Sequence, residues 1–348
     1  MYKDFFGLKE VPFNLTPDPR YIVFTPSYNE VLAKIYYGLE SAKGLIVLTG
    51  EVGTGKTTAL KWILRRLDAT VLAAYIFNPR LSIDEFYRHF TEMLGVRGWR
   101  DKSELLNLLG SVLEERHRRG LSTVLVIDEA HELTDYVLEE IRLLLNFESD
   151  TAKYLQIVLT GQPELREKLN QPHFRQLKQR AALLCQIHPL PDPEEVERYV
   201  TERLLIAGAD QPNIFTPGAI DFIFQSSQGI ARQINNLCDN AMLTAYTRGE
   251  QIVGRRIVEE AALNLDLLPP QHGLSNDEKK PENGRARAAA PDSTAGFWNQ
   301  PPPHDHEPAA FEQNGAARRP IDGAPVSFSF GDADDDVSLE IGEAHRPY

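Results

Sequence analysis

The chain has 348 residues, of which 42% are hydrophobic, and its formal net charge at pH 7 is −13. This length and composition allow about two domains with apolar cores. The negative charge argues against a protein that coats nucleic acid or an anionic membrane through bulk electrostatics. The sequence has no run of about 18 apolar residues, and residues 1–6 lack the profile of a signal peptide. We therefore expect a cytoplasmic protein with no transmembrane segment.

The chain has two cysteines, Cys185 and Cys238, which lie far apart in the sequence and outside any C-x-x-C or histidine cluster. This pattern predicts neither a disulfide framework nor a zinc site. We expect both residues to be small buried apolar side chains.

Up to residue 191, strand-like apolar runs alternate with helical patterns. The predicted strands are 45–49, 71–77, 123–127, 155–160 and 183–188. The predicted helices between or before them are 29–41, 58–67, 83–94, 104–118 and 137–145. This alternation predicts an α/β fold in which right-handed crossovers place helices on both faces of a parallel sheet.

A phosphate-binding loop follows the first predicted strand. Residues 50–57 read GEVGTGKT and match the pattern G-x-x-x-x-G-K-[ST]. In such a loop the backbone N–H groups cradle phosphates, the lysine reaches the β and γ phosphates, and the hydroxyl binds Mg²⁺. We expect Lys56 to be catalytic as well, and Thr57 to be a metal ligand. The residues expected to bind ATP here are Gly50, Glu51, Val52, Gly53, Thr54, Gly55, Lys56, Thr57 and Thr58.

The third predicted strand ends in two adjacent carboxylates, Asp128 and Glu129, about 70 residues after the phosphate-binding loop. This arrangement is typical of the Walker B element of P-loop NTPases. We expect Asp128 to hold the magnesium shell, and Glu129 to orient or deprotonate the attacking water. The two elements together predict a Mg²⁺-dependent ATPase.

After residue 191 the strand patterns stop and four helical patterns follow, over 193–207, 217–226, 230–248 and 255–263. Asp192 and Thr216 each precede a proline, which is typical of a helix N-cap followed by proline at the first helical position. We expect an α/β nucleotide-binding domain over 1–191 and a small helical lid domain over 192–267.

Residues 268–348 form an acidic tail rich in Pro, Ala and Gly, with 14 acidic and 7 basic residues. Its composition predicts disorder. Two stretches, 326–330 and 337–341, alternate apolar and polar residues. Either could add a strand to a partner's sheet, and the alternative is an inert, solubilising tail.

Over residues 1–267, the chain resembles the ExeA-like group of AAA+ ATPases. The motifs that carry the resemblance are YKDFFGL at 2–8, Pro12-Phe13, Pro17-Asp18, TGEVGTGKT at 49–57 and LTGQPEL at 159–165. The resemblance implies an AAA+ core with a helical lid, in homo-oligomers whose active sites are shared between subunits. It also implies service to a secretion, pilus or exopolysaccharide export system.

The resemblance also implies roles that spacing alone does not assign. Thr160 is similar to the sensor 1 residue, with Gln162 as the alternative. Arg180 is similar to the arginine finger that reaches a neighbouring subunit's nucleotide, with Arg175 as the competitor. Arg232 is similar to the sensor 2 arginine, which contacts the γ-phosphate in cis.

The aromatic residues of the N-terminal segment form a further expectation. They would either wall the adenine pocket or act as a hydrophobic staple on the core. These residues are Phe5, Phe6, Phe13, Tyr21 and Phe24.

Three functions remain open. The first is a motor or assembly ATPase whose tail binds a protein of a membrane-associated machine. The second is a DNA-associated regulator of the transposition or replication-initiation type, which the negative charge disfavours. The third is a slow switch in which ATP binding changes partner affinity. ExeA-like proteins of secretion systems typically carry a transmembrane helix and a peptidoglycan-binding module after the core, whereas this chain carries the acidic tail.

Overall fold

The structure is a computed structural model, and it describes residues 2–77 and 80–268. The expectations for the tail, including its two alternating stretches, therefore fall almost entirely outside the described residues.

The sheet of the described chain is fully parallel, with the strand order β2-β3-β4-β1-β5. Its strands are β1 (Leu45–Gly50), β2 (Val71–Ile76), β3 (Ser122–Ile127), β4 (Gln156–Gly161) and β5 (Ala181–Ile187). The three central strands are almost completely buried, as expected for strands covered by helices on both faces. The prediction of an α/β fold with a parallel sheet is confirmed.

Helices cover both faces of the sheet. Those before and between the strands are α1 (Tyr2–Phe5), α2 (Pro26–Glu40), α3 (Lys56–Leu64), α4 (Ile83–Met93), α5 (Lys102–Arg118), α6 (Asp135–Leu144), α7 (Pro163–Leu169) and α8 (Arg175–Arg180). Side chains alternate along each strand, so Ile46 and Leu48 pack against α2 and α3, while Leu45 and Val47 belong to the core under α4, α5 and α6. This two-sided burial fixes the register of β1.

Four helices follow the sheet and form the helical bundle: α9 (Pro193–Ile206), α10 (Pro217–Ser227), α11 (Ala231–Arg248) and α12 (Arg255–Asn264). Both predicted N-caps are present. The Asp192 side chain accepts a hydrogen bond from the Glu195 N–H, and the Thr216 side chain accepts one from the Ala219 N–H. These bonds satisfy backbone donors that the first helical turn leaves free.

The N-terminal segment, residues 2–23, packs into the helical bundle. Phe13 and Tyr21 belong to the bundle's apolar core. The backbone N–H groups of Lys9 and Glu10 both donate to the carbonyl oxygen of Ala207, at 2.8 and 3.2 Å. Phe24 belongs instead to the core beside α3. The sequence did not indicate that most of this aromatic set serves the bundle.

Both cysteines are buried and free, as predicted. Burial raises the pKa of each thiol. Among the residues that the structure describes, no helix is both long enough and apolar enough to cross a membrane.

Candidate functional site

The loop that joins β1 to α3 requires glycine for physical reasons. Gly53 and Gly55 have φ angles of +84° and +97°. A Cβ atom at Gly50 would lie 2.7 Å from the backbone oxygen of Ile187, and one at Gly53 would lie 2.6 Å from the Cβ of Arg232. No larger side chain fits at these positions. Because glycine has no Cβ, the backbone can curl around the N-terminus of α3. A helix N-terminus with exposed N–H groups is suited to binding phosphate.

Lys56, the first residue of α3, is directed back into this loop. Its Nζ donates to the backbone oxygens of Gly50 and Glu51, at 2.8 and 3.0 Å. The residue is only 6% exposed. Burial lowers its pKa, while the nearby carboxylates of Glu129 and Asp128 act in the opposite direction. The site therefore holds one buried cation where the loop converges.

Asp128 follows β3 and reaches the first turn of α3, because β4 alone separates β3 from β1 in the sheet. The Thr57 hydroxyl donates to its Oδ2 at 2.9 Å. Asp128 is 5% exposed. These two oxygen-bearing side chains fit Mg²⁺, which usually takes one or two protein ligands and completes its shell with water and phosphate. In the described residues, no cluster of three or more acidic, His or Cys side chains forms a separate metal cage.

Glu129 adopts a left-handed backbone conformation with φ +51°. Its N–H donates to Oδ1 of Asp128 at 3.0 Å. Its side chain lines the cleft described below. One carboxylate oxygen, Oε2, is buried and lies 3.4 Å from Nδ1 of His131. Glu129 thus reaches the cleft from an unusual backbone conformation, in the same lining as Lys56.

The two candidates for sensor 1 differ in their surroundings. Thr160, near the end of β4, is fully buried, and its hydroxyl has no hydrogen-bond partner among the described residues. The Gln162 side chain lies 3.0 Å from Nε2 of His131. Neither residue lines the cleft.

A cleft joins the phosphate-binding loop to the N-terminal segment and the helical bundle. Of the predicted binding residues, those that line it are Val52, Gly53, Thr54, Gly55, Lys56, Thr57, Thr58, Glu129 and Arg232. Gly50, Glu51 and Asp128 do not line it: Gly50 and Asp128 are buried, and Glu51 is exposed. The backbone N–H of Arg232 donates to the Gly53 oxygen at 3.0 Å, so the bundle touches the loop directly.

The two arginine-finger candidates lie outside the cleft. Arg175 begins α8 and is exposed, and Arg180 ends α8 and is partly buried. Burial and, to a lesser degree, the charge of Arg180 lower the pKa of Lys153.

Sequence reasoning missed three side chains of this site. The Tyr28 hydroxyl donates to the Gly55 oxygen at 3.0 Å, and the Tyr75 hydroxyl donates to Oδ2 of Asp128 at 2.9 Å. Burial and, for Tyr75, the Asp128 charge raise the pKa of both phenols, so both remain donors. Arg203, from α9, also lines the cleft. The two tyrosines are far in sequence from the residues that they contact, and no local motif marks any of the three side chains.

A parallel sheet in this order, with a phosphate-binding loop after β1 and paired acids after β3, defines a P-loop NTPase of the AAA+ type. Residues 39–169 match the AAA domain family. Solved structures have the same fold. The Cdc6 protein of Pyrobaculum aerophilum aligns with a TM-score of 0.55 at 18% identity, covering 76% of this chain and 71% of that one. The ORC2 protein of Aeropyrum pernix aligns with a TM-score of 0.52 at 17% identity, covering 73% and 71%.

A closer relative in sequence is the General secretion pathway protein A of Aeromonas hydrophila. The two are 41% identical over 273 residues, which is 76% of this chain and 48% of the relative. The chain thus spans about half the length of that protein. It belongs to the AAA+ proteins and, within them, to the ExeA-like group.

Proposed function

We propose that this chain binds ATP with Mg²⁺ and hydrolyses it to ADP and phosphate, in support of a secretion, pilus or exopolysaccharide export system. The convergence of Lys56, Thr57 and Asp128 on one loop carries the proposal. The 41% sequence identity to the General secretion pathway protein A supports a role in such an export system.

Binding follows from the loop. Its N–H groups would donate to the phosphate oxygens, and Lys56 would exchange its bonds to two backbone oxygens for stronger ones to charged oxygens. Thr57 and Asp128 would hold Mg²⁺, directly or through water. When bound, this ion neutralises charge on the phosphates.

Hydrolysis would depend on Glu129, which lines the cleft, whereas Asp128 does not. Its carboxylate would orient a water molecule and accept its proton as the water oxygen bonds to the γ-phosphorus and the ADP oxygen leaves. Thr160 or Gln162 would sense the γ-phosphate. Arg232, on the cleft wall, would contact it from the helical bundle, which we propose acts as a lid over residues 192–267.

A second subunit would complete the site. Both Arg175 and Arg180 lie outside their own cleft, where an arginine that serves a neighbour's nucleotide has to lie. We therefore propose a homo-oligomer with Arg180 at the shared site. A cytoplasmic location and a protein partner of a membrane-associated machine belong to the same proposal.

The alternative is a DNA-associated regulator. The structural likeness to Cdc6 and ORC2, at identities below 20%, supports the fold alone. The charge of the chain also disfavours DNA as a partner, so this function stays second.

The test combines ATP binding with steady-state hydrolysis in three variants. Lys56→Ala should lose ATP binding, because it removes the only cation buried in the described loop. Glu129→Gln should still bind ATP, while its turnover falls by at least about 100-fold, because the amide cannot accept the proton. Glu139→Gln is the matched control: it changes an exposed acid on α6 and should behave as wild type. Equal turnover by Glu129→Gln and wild type would show that Glu129 is not the base.

A further inference from the structure

Three hydrogen bonds hold the carboxylate of Asp128. Its Oδ2 accepts one from the Thr57 hydroxyl and one from the Tyr75 hydroxyl, both at 2.9 Å. Its Oδ1 accepts the N–H of Glu129 at 3.0 Å. Of these donors, the phenol alone comes from outside the two motifs that the sequence marks.

The backbone of β2 determines where this phenol lies. Tyr75 is directly opposite Val126 in the β2–β3 pairing. Residues two apart on a strand point to the same face, so the side chain of Asp128 follows Val126 on the face that carries the Tyr75 ring. The N–H of Asp128 donates to the Ile76 oxygen at 3.0 Å, which continues the ladder to the carboxylate itself.

A second contact restricts the orientation of the ring. Tyr75 and Phe77 stack with their centroids 4.2 Å apart and their planes at 29°. Phe77 is 66% exposed, so this stacking contributes little to the core. Its effect falls mainly on the ring of Tyr75.

We infer that Tyr75 is a positioning residue for the magnesium site: its hydroxyl fixes the Asp128 carboxylate in the orientation that holds the ion. The inference rests on the proposed ATP and Mg²⁺ binding. Hydrogen bonds from groups behind a metal ligand orient that ligand, and their loss weakens metal binding. The Thr57 hydroxyl can keep its proton on Asp128 while its lone pair faces the ion. Of the two side chains that donate to Asp128, the phenol is therefore the one that takes no part in coordination.

A purely structural hydroxyl is the competing explanation, because a buried carboxylate needs donors in any case. The two explanations differ in a measurable quantity. A structural role changes stability, whereas a positioning role changes how much Mg²⁺ strengthens nucleotide binding.

The experiment measures the affinity for a fluorescent ATP analogue with Mg²⁺ and with EDTA, in the full chain. We expect Tyr75→Phe to reduce the gain in affinity from Mg²⁺ by at least about tenfold, which is the usual effect of losing a hydrogen bond behind a metal ligand, with the EDTA affinity unchanged. The matched control is Tyr87→Phe. Tyr87 is buried and, like Tyr75, donates to a carboxylate, Oε2 of Glu140 at 2.7 Å, but on the opposite face of the sheet. In Tyr87→Phe, the gain in nucleotide affinity from Mg²⁺ should equal that of wild type.

A second variant keeps the test decisive if Tyr75→Phe does not fold. Phe77→Leu removes the stacked ring at an exposed position and should reduce the gain from Mg²⁺ by about two- to threefold. Manganese binding, measured by EPR, should be weakened most in Tyr75→Phe, less in Phe77→Leu and not at all in Tyr87→Phe. An unchanged gain in Tyr75→Phe, or equal losses in Tyr75→Phe and Tyr87→Phe, would overturn the inference. Nucleotide binding by wild type that ignores Mg²⁺ would overturn the proposed function together with it.

Discussion

At Gly53 the phosphate-binding loop and the helical bundle touch through backbone atoms. The Gly53 oxygen accepts the N–H of Arg232, and the two residues approach so closely that a Cβ at Gly53 would overlap the Cβ of Arg232. The glycine therefore serves two purposes: it allows φ +84°, and it lets the bundle reach the nucleotide cleft.

Gly53→Ala should lower stability and weaken ATP binding. The left-handed backbone costs an alanine about 1–2 kcal/mol, and the overlap adds about 1–3 kcal/mol unless Arg232 moves away. Gly120→Ala is the matched control, because Gly120 has φ +73° and open space around its Cβ. It should show the backbone cost with normal binding. Thermal unfolding and ATP affinity report the two effects, and normal ATP affinity in Gly53→Ala would contradict the second purpose.

At the scale of elements, Arg203 joins the N-terminal segment to α9. It is 7% exposed, and no carboxylate among the described residues lies within ion-pair distance. Its guanidinium donates instead to the backbone oxygens of Pro12 and Tyr21, at 2.8 and 3.4 Å, and to the Tyr199 hydroxyl at 3.1 Å. The rings of Tyr21 and Tyr199 lie 4.8 and 5.4 Å from it. Backbone dipoles and aromatic faces thus stabilise this buried cation.

Replacing this arginine tests the junction. Arg203→Met relieves the desolvation of a charge, but it leaves two buried carbonyl oxygens without donors at about 1–3 kcal/mol each. The loss of these hydrogen bonds should be the larger effect, so the free energy of unfolding should fall by about 2 kcal/mol. Arg198→Met, on the same helix, removes an exposed pair with Glu202 and should cost under about 1 kcal/mol. Urea unfolding measures both, and equal losses would contradict the assigned role.

The sequence predicted the elements better than their contacts. All five strands and nine of the twelve described α-helices were predicted, with ends within three residues, because periodic burial and the caps at Asp192 and Thr216 are local signals. The short helices α1, α7 and α8 were not predicted. The strand order and the packing of the N-terminal segment depend on contacts between distant residues. Lys56 and Asp128 were predicted as site residues because local motifs mark them. Tyr75 was missed because its role exists only once β2 pairs with β3.

At the scale of the whole molecule, the cleft contains the phosphate-binding loop, Glu129 and Arg232 but no residue of α8. A single chain therefore brings together the groups proposed for binding and for activating water. If Arg180 stabilises the transferring phosphoryl group, it has to come from another copy. Hydrolysis per subunit should then depend on assembly.

Mixing two inactive variants tests this dependence directly. Glu129→Gln keeps Arg180 and loses the base, whereas Arg180→Ala keeps the base and loses the arginine. In a 1:1 mixture, half of the subunits have an intact cleft and half of their neighbours supply an intact arginine. We therefore expect about one quarter of the wild-type rate, far above either variant alone. Glu129→Gln mixed with Lys56→Ala is the matched control, because each variant lacks a residue of its own cleft while both keep Arg180. It combines a subunit without the base with one that does not bind ATP, so no interface is complete and no rate should return. Wild-type turnover by Arg180→Ala alone would show that Arg180 is not the shared residue, and the same mixtures made with Arg175→Ala would then test the competitor.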